Sequence, residues 1–298
     1  MTVLMMAFLA PLALRLSPLC AQHYAGVSLA AHMPMVQDNS ALTRARASFG
    51  GEIGGLYEWH SGLFMLQTGL RYQLLCPSMR VQDTQLEQAM LDTRGVPFIY
   101  RGELKDRTDR MTLGLLTVPL SVGVAWQGWH LTAGLQLAVM LHAGAQCKAS
   151  LQTVGDYQGR YYDLFERMPN HGYHDFEPVR SEHALTLNRF DVRICAETGY
   201  TFLLSPFHPD RSPLLRIAAF VEYGMMSMRD PRLGADAPAA VAPDYEHYMS
   251  VSMTHLYAAA SDTRLSPHMM TFGLRFAILF ALPGSSSHHA CNCYGNYR

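Results

Sequence analysis

Lysine is almost missing from this 298-residue chain: the 23 Lys and Arg residues include only Lys105 and Lys148 as lysine, and 24 Asp and Glu bring the formal charge to −1. Without a surplus of positive charge there is no electrostatic footprint for nucleic acid. Long hydrophobic runs are missing as well. Past the N-terminus no uninterrupted apolar stretch reaches the roughly 18 residues that a membrane helix requires, which excludes a helical membrane protein. Cysteine is sparse, with Cys20, Cys76, Cys147, Cys195, Cys291 and Cys293 showing no disulfide-framework spacing. The nucleophile-elbow pattern G-x-S-x-G does not occur.

The N-terminus stands apart in composition. Residues 1–22 hold a short apolar core followed by Ser-Pro-Leu-Cys-Ala-Gln, a pattern that predicts a secretory signal peptide, residues 1–21, cut near Ala21. Arg15 inside the apolar run and the large Leu19 depart from the ideal pattern, and Leu19 also disfavours a lipoprotein reading through Cys20. Residues 22–283 are then the folded domain, and residues 284–298 a flexible periplasmic tail. Removing Cys20 leaves an odd number of cysteines, so at least one is free or pairs between chains.

What the chain does have is alternation. In residues 129–144, WHLTAGLQLAVMLHAG, one set reads Trp129, Leu131, Ala133, Leu135, Leu137, Val139, Leu141, Ala143; the other reads His130, Thr132, Gly134, Gln136, Ala138, Met140, His142, Gly144. The same period of two recurs at 64–74, 116–126, 190–202, 215–223 and 270–282, and more weakly at 24–32 and 48–58, giving eight strands. Several run well beyond the five or six residues usual in soluble sheets and suit the roughly 9–11 of a tilted bilayer-crossing strand. The links alternate in length: 58–62, 127–128 and 204–212 are short, whereas 33–47, 75–111, 146–186 and 227–268 are long and mostly polar.

Long loops after odd strands and short ones after even strands predict an all-β, eight-stranded, antiparallel, up-and-down transmembrane barrel in a bacterial outer membrane. Its apolar set meets outer-membrane lipid, and closure removes every unpaired edge. A ten-stranded ring is the alternative, using 100–109 and 245–257. Trp59, Trp126 and Trp129 all fall at the short-turn end, as an interface girdle requires.

The second face carries charge within the strands. Glu52, Asp191, Glu197 and Glu222 match Arg71, Arg193, Arg216 and Arg275 in number, which predicts an ion-pair network filling a narrow lumen. Pro119 interrupts the fourth strand and forfeits a ladder bond, so a bulge, or a strand projecting beyond the membrane, is expected there.

At residues 112–144, the segment Val118-Pro119-Leu120, the turn Gln127-Gly128, then Trp129 and a central Gly134 resemble the PorT-like outer-membrane β-barrel family of Bacteroidota. ASFGGEIGGLYEW followed by GLFMLQTGLRYQLL is similar to that family's second hairpin. The resemblance implies the barrel architecture and no particular activity.

Residues with chemical potential lie mostly in the long links. His142 with Ser181, Glu182 and His183 is the candidate set for a lipid-modifying enzyme, without a recognisable hydrolase spacing. His171, His174 and His183 with Asp175 and Glu177, and the tail set His288, His289, Cys291 and Cys293, are the metal-ligand candidates; solvated loop and free tail are preferred for both. Cys76 and Cys147, at the outer ends of neighbouring-but-one strands, are the candidate disulfide. Tyr157, Tyr161, Tyr162 and Phe165 offer a surface for a protein or glycan partner. The expectation is a non-enzymatic barrel of envelope-structural or surface-interaction role, with no catalytic set, cofactor or metal; an accessory part in secretion, or a narrow pore, is the alternative.

Overall fold

The computed structural model describes residues 21–38, 42–46, 48–91, 95–157, 175–204, 213–230, 239–243, 251–259 and 266–282. The proposed signal peptide (residues 1–20 of it), the 284–298 tail, His171, His174, Tyr161, Tyr162 and Phe165 lie outside these.

Eight antiparallel strands form a closed ring: β1 (Ala21–Gln37), β3 (Gly50–Ser61), β4 (Phe64–Leu75), β7 (Pro97–Trp126), β8 (Trp129–Asp156), β10 (Phe190–Leu203), β11 (Leu214–Gly224) and β14 (His268–Ala281). Each pairs with the next in chain order, and β14 returns to β1 with Val27 opposite Ile278 and Met35 opposite Met270. This is the up-and-down barrel expected of a transmembrane β-barrel, with no open edge in the ring. Each turn has a local cause. Gly62 (φ 61°) opens the β3–β4 turn, while Gln127 (φ 49°) and Gly128 (φ 84°) form a two-residue turn whose twist matches the strands it joins.

The alternation resolves into two faces. On β8, Trp129, Leu131, Leu135, Leu137, Val139 and Leu141 are exposed, while His130, Thr132, Gln136 and Ala138 are buried inside the ring. β7 does the same, with Val118, Leu120, Val122, Val124 and Trp126 outside and Thr117 and Ser121 inside. A belt of aliphatic and aromatic side chains therefore encircles the outside. Trp126 and Trp129 face each other beside the tight turn, and Trp129 meets Tyr200 edge-on at 5.2 Å.

The long links are where the structure departs from expectation. β7 and β8 do not stop at the belt: they continue together to Ile99 opposite Asp156. β6 (Thr84–Leu91) and β5 (Ser78–Val81) flank β7, β2 (Thr43–Arg46) pairs β5, and β9 (Glu177–Ala184) flanks β8. Residues 100–109 are thus the outer half of β7 and not an extra ring strand. From the 245–257 region, β13 (Val251–Met253) pairs only β12 (Val241–Pro243) in a separate hairpin. The ten-stranded alternative is overturned because the added segments extend existing strands instead of entering the ring. Much of 75–111 and 146–186 is sheet, since Arg, Thr, Gln and Lys on the outer strand positions suit a sheet face wetted by water as well as a loop.

Pro119 causes no bulge. It stays in register opposite Gln136; the ladder to β4 lapses between Thr68–Leu120 and Arg71–Thr117, and the Pro119 carbonyl accepts a hydrogen bond from Thr68 Oγ1 at 2.9 Å. Register shifts occur instead at Lys105/Thr108, where Asp106 has φ 54°, and at Gly114/Leu115.

Candidate functional site

Inward positions at mid-height are occupied by ion pairs. Arg275 on β14 is the hub: its Nε lies 2.9 Å from Glu52 Oε1, its Nη2 3.4 Å from Glu222, and its Nη1 pairs with Glu197. Its guanidinium also stacks on Phe220 at 4.2 Å. Arg71 approaches Glu52 at 3.7 Å, and Arg193 reaches Glu222 at 3.7 Å and Asp191 at 3.0 Å. Gln73 binds the cluster together, donating to Glu52 (2.7 Å) and Glu222 (3.0 Å) and accepting from Arg193 Nη1 (3.1 Å). Gly54 makes room for Arg71, because a Cβ there would sit 2.7 Å from Arg71 Cγ.

Arg216 stands apart from this cluster. It is held by Glu58 on β3, Nη2 to Oε2 at 2.9 Å, with His60 at 3.1 Å and Gln67 at 3.3 Å on the same carboxylate. Glu58, fully buried, sits where the weak 48–58 alternation meets the short 58–62 link, and it is not among the eight charges read from the strands. The parity of Glu52, Gly54, Leu56, Glu58 and His60 along one strand carries the signal, once β3 is taken through Ser61. His130, on the inward set of the β8 alternation but outside the charge count, places its Nε2 3.3 Å from Glu197. All eight of those charges line the ring interior, Asp191 partly exposed at its outer rim, but they fall into two neighbourhoods, and Glu58 adds a fifth acid.

Apolar layers close both ends. Tyr24, Leu56, Leu214, Ala277 and Leu279 pack together at the short-turn end. Leu75, Met79, Val81, Met111, Leu113, Leu115, Leu185, Leu187, Met228, Tyr257 and Met269 fill the outer mouth. The space left among Arg71, Ser121, Thr132, Cys195, Glu197, Glu222 and Arg275 is about 10 Å³, room for about one water.

Above the mouth, the β7–β8 extension has its own core of Tyr100, Leu104, Cys147, Ala149, Leu151, Val179, Val251 and Met253. The bulge at Asp106 turns Arg107 inward beside Asp109, and the two form a buried bidentate pair with both hydrogen bonds at 2.9 Å. Arg107 donates to the carbonyls of Ala240 and Thr254, and Asp109 accepts from the Leu256 amide, so this pair pins the 251–259 segment to the sheet. His255 Nδ1 accepts from the Tyr257 amide at 3.3 Å and His183 Nε2 accepts from the His255 amide at 3.1 Å. Burial pushes His255 down to about 4, with Arg107 and His183 adding to the effect against Asp109. Cys147 is pushed up to about 12 by burial and Asp109, which leaves it an inert thiol.

The remaining sequence candidates do not converge. Cys76, Cys147 and Cys195 are free thiols; Cys147 is shut in beside Arg107 and Asp109, so the Cys76–Cys147 disulfide is not formed. His142 is exposed at the β8 bulge, Glu182 is paired to Arg180 and Gln146, and His183 is engaged by His255. Among the described residues no cluster of three or more His, Cys, Asp or Glu is arranged to hold a metal ion. Tyr157, the described member of the aromatic loop set, stacks on Phe98 at 5.2 Å.

No family model and no curated protein matches this chain. Among solved structures it is similar to the attachment invasion locus protein Ail of Yersinia pestis (9% identity, 87% of this chain and 99% of that one, TM-score 0.31). It is also similar to the outer membrane protease OmpT of Escherichia coli (8% identity, 88% and 97%, TM-score 0.33). At these TM-scores no residue, activity or fold is carried across, and the barrel rests on this chain's own strand pairing.

Proposed function

We propose that the chain is a bacterial outer-membrane barrel with a lumen closed by its own side chains, serving the envelope through its structure and its outer surface rather than through catalysis or conduction. The observation that carries this reading is the stacking inside the ring: apolar floor, ion-pair layer, apolar cap, and a residual cavity of about 10 Å³. Every charge in the middle layer is matched by a partner, as buried charges require. The outer belt of Leu, Val, Phe and Trp supports residence in lipid. The exposure of His142, the pairing of Glu182 with Arg180 and Gln146, and the engagement of His183 by the His255 amide leave the set without a common centre, which supports a non-enzymatic role.

Purified protein in planar bilayers is expected to show no stable conductance, and reproducible open channels in the intact protein would overturn the closed lumen. Labelling of single cysteines placed near Asp83 and Gly95 in intact cells tests the orientation. Surface labelling there, with none at Gly62, is the expected pattern.

A second reading, an accessory part in a secretion or transport assembly, is favoured by the PorT-like pattern of the β7–β8 hairpin around Pro119, Trp129 and Gly134. Stoichiometric envelope partners recovered with the full-length protein would move the assignment to it.

A further inference from the structure

The outward face of the extension carries an arrangement that a free-standing sheet disfavours. Cross-strand partners share a face, and following them gives one row across five strands: Arg44 on β2, Arg80 on β5, Thr108 on β7, Lys148 on β8 and Arg180 on β9. Four of its five members are cations, and Arg44–Arg80 and Lys148–Arg180 stand directly opposite one another. Like charges placed directly opposite one another destabilise a sheet. The adjacent row, Arg46, Ser78, Arg110, Gln146 and Glu182, adds two more arginines.

Local acids offset only part of this. Asp106 pairs with Arg80, Glu182 pairs with Arg180 and is held below its ordinary carboxylate range by it, and Asp83 accepts the Asp106 amide. Arg44 and Arg110 make no ion pair among the described residues, and Arg46 donates only to Thr108 Oγ1 at 3.4 Å. Six cations in these two rows are therefore set against three neighbouring carboxylates across a face roughly 19 Å wide, at about 4.8 Å per strand.

We propose that this face binds the phosphorylated headgroups of outer-leaflet lipid around the barrel. Two things select that occupant. Charge complementarity asks for multiply charged anions, and guanidinium forks match phosphate oxygens bidentately. Continuity supplies the source: Arg46 lies three residues before Phe49, a 75% exposed member of the lipid-facing belt, so the rows begin within about 10 Å of the hydrocarbon edge. The face looks outward from the barrel axis, toward neighbouring headgroups and not toward the mouth. Bound phosphates turn the like-charge rows from a cost into a clamp that fixes the extension's height above the bilayer.

The inference rests on the outer-membrane reading, and the two fail separately. Cell fractionation tests the location, while lipid titration of the purified protein in detergent tests the face itself. The full-length protein is titrated with diphosphorylated lipid A, its dephosphorylated counterpart, inorganic phosphate and heparin, with bound lipid counted by native mass spectrometry. Retention of the diphosphorylated lipid over the dephosphorylated form is expected, weakening with salt. R44Q/R80Q and K148Q/R180Q should each lower its affinity by roughly fivefold per cation removed. R44K/R80K, which keeps the charge but loses the bidentate fork, should weaken binding less than R44Q/R80Q, and Thr108→Asp should weaken it without removing any arginine. Folding of each variant is checked by its heat-dependent gel mobility. Equal retention of the dephosphorylated lipid, or heparin or phosphate displacing the lipid at equal concentration, would overturn the proposal.

Discussion

β7 and β8 pass through two solvents, and their two halves obey opposite rules. Below the register shift at Gly114/Leu115 the exposed positions are Val118, Leu120, Val122, Leu135 and Leu137, and the interior holds Thr117, Ser121, Thr132 and Gln136. Above it the interior is Met111, Leu113, Leu104, Ala149 and Leu151, while Arg110 and Lys148 face out. The backbone ladder is the same in both halves. What changes is which environment rewards apolar surface: hydrocarbon outside the ring, and a dry core inside the head. The comparison teaches that burial and hydrophobicity coincide only where water is the solvent, and, on the membrane reading proposed above, the inversion falls where the hydrocarbon ends.

The strongest way to break the comparison is to remove the hub of the inverted core. Arg275→Leu leaves Glu52, Glu197 and Glu222 facing one another, and about 3–5 kcal/mol of stability should be lost in urea-dependent refolding into micelles. Leu113→Ala in the apolar cap should cost about 2–5 kcal/mol by opening a cavity, because there the ordinary rule holds. Leu137→Arg, on the belt, should cost about 2–4 kcal/mol near mid-bilayer. Thr112→Arg, exposed just past the shift, should be nearly neutral in the same refolding series; a matching loss would place the hydrocarbon edge further out.

Acidification separates the halves more gently. His255 is held neutral at about 4 when folded against 6.5 when free, so between those values the unfolded segment binds the extra proton. Its contribution is full above pH 6.5 and is lost as pH falls toward 4. Both His255 Nδ1 and His183 Nε2 serve as acceptors for backbone amides, so protonating them removes those bonds. Faster protease cleavage within 251–259 at pH 4.5 than at 7.5, with the ring strands still protected, is the expected outcome, and His255→Asn should flatten the difference.

How much was legible follows the same boundary. All ring strands show in the alternation because, in lipid, every outward position must be greasy over a full span, which leaves a long uninterrupted signal. The lumen charges show for the complementary reason: once the greasy set is assigned to lipid, Arg71, Arg193, Glu197 and Arg275 on the alternate positions fall to the enclosed interior. Glu58 and His60 were lost where the Gly62 turn was placed too early. Arg107, Asp109 and His255 were not legible, since a one-residue bulge at Asp106 decides which of them point inward, and a bulge leaves no periodic trace. The extension read as loop because its outer face is as polar as a loop.

By itself, then, the order of residues determined the up-and-down path of the ring strands and the sidedness of each, because a period of two in a medium without water leaves a closed barrel as the way to satisfy every backbone group, while the choice of eight over ten came from the pairing. Which carboxylate meets which guanidinium, how far β7 and β8 rise past the belt, and that Arg44, Arg80, Lys148 and Arg180 fall into one row were decided only by the tertiary structure. Partners on separate strands are set by register and ring closure, and neither is written in any local stretch of the chain.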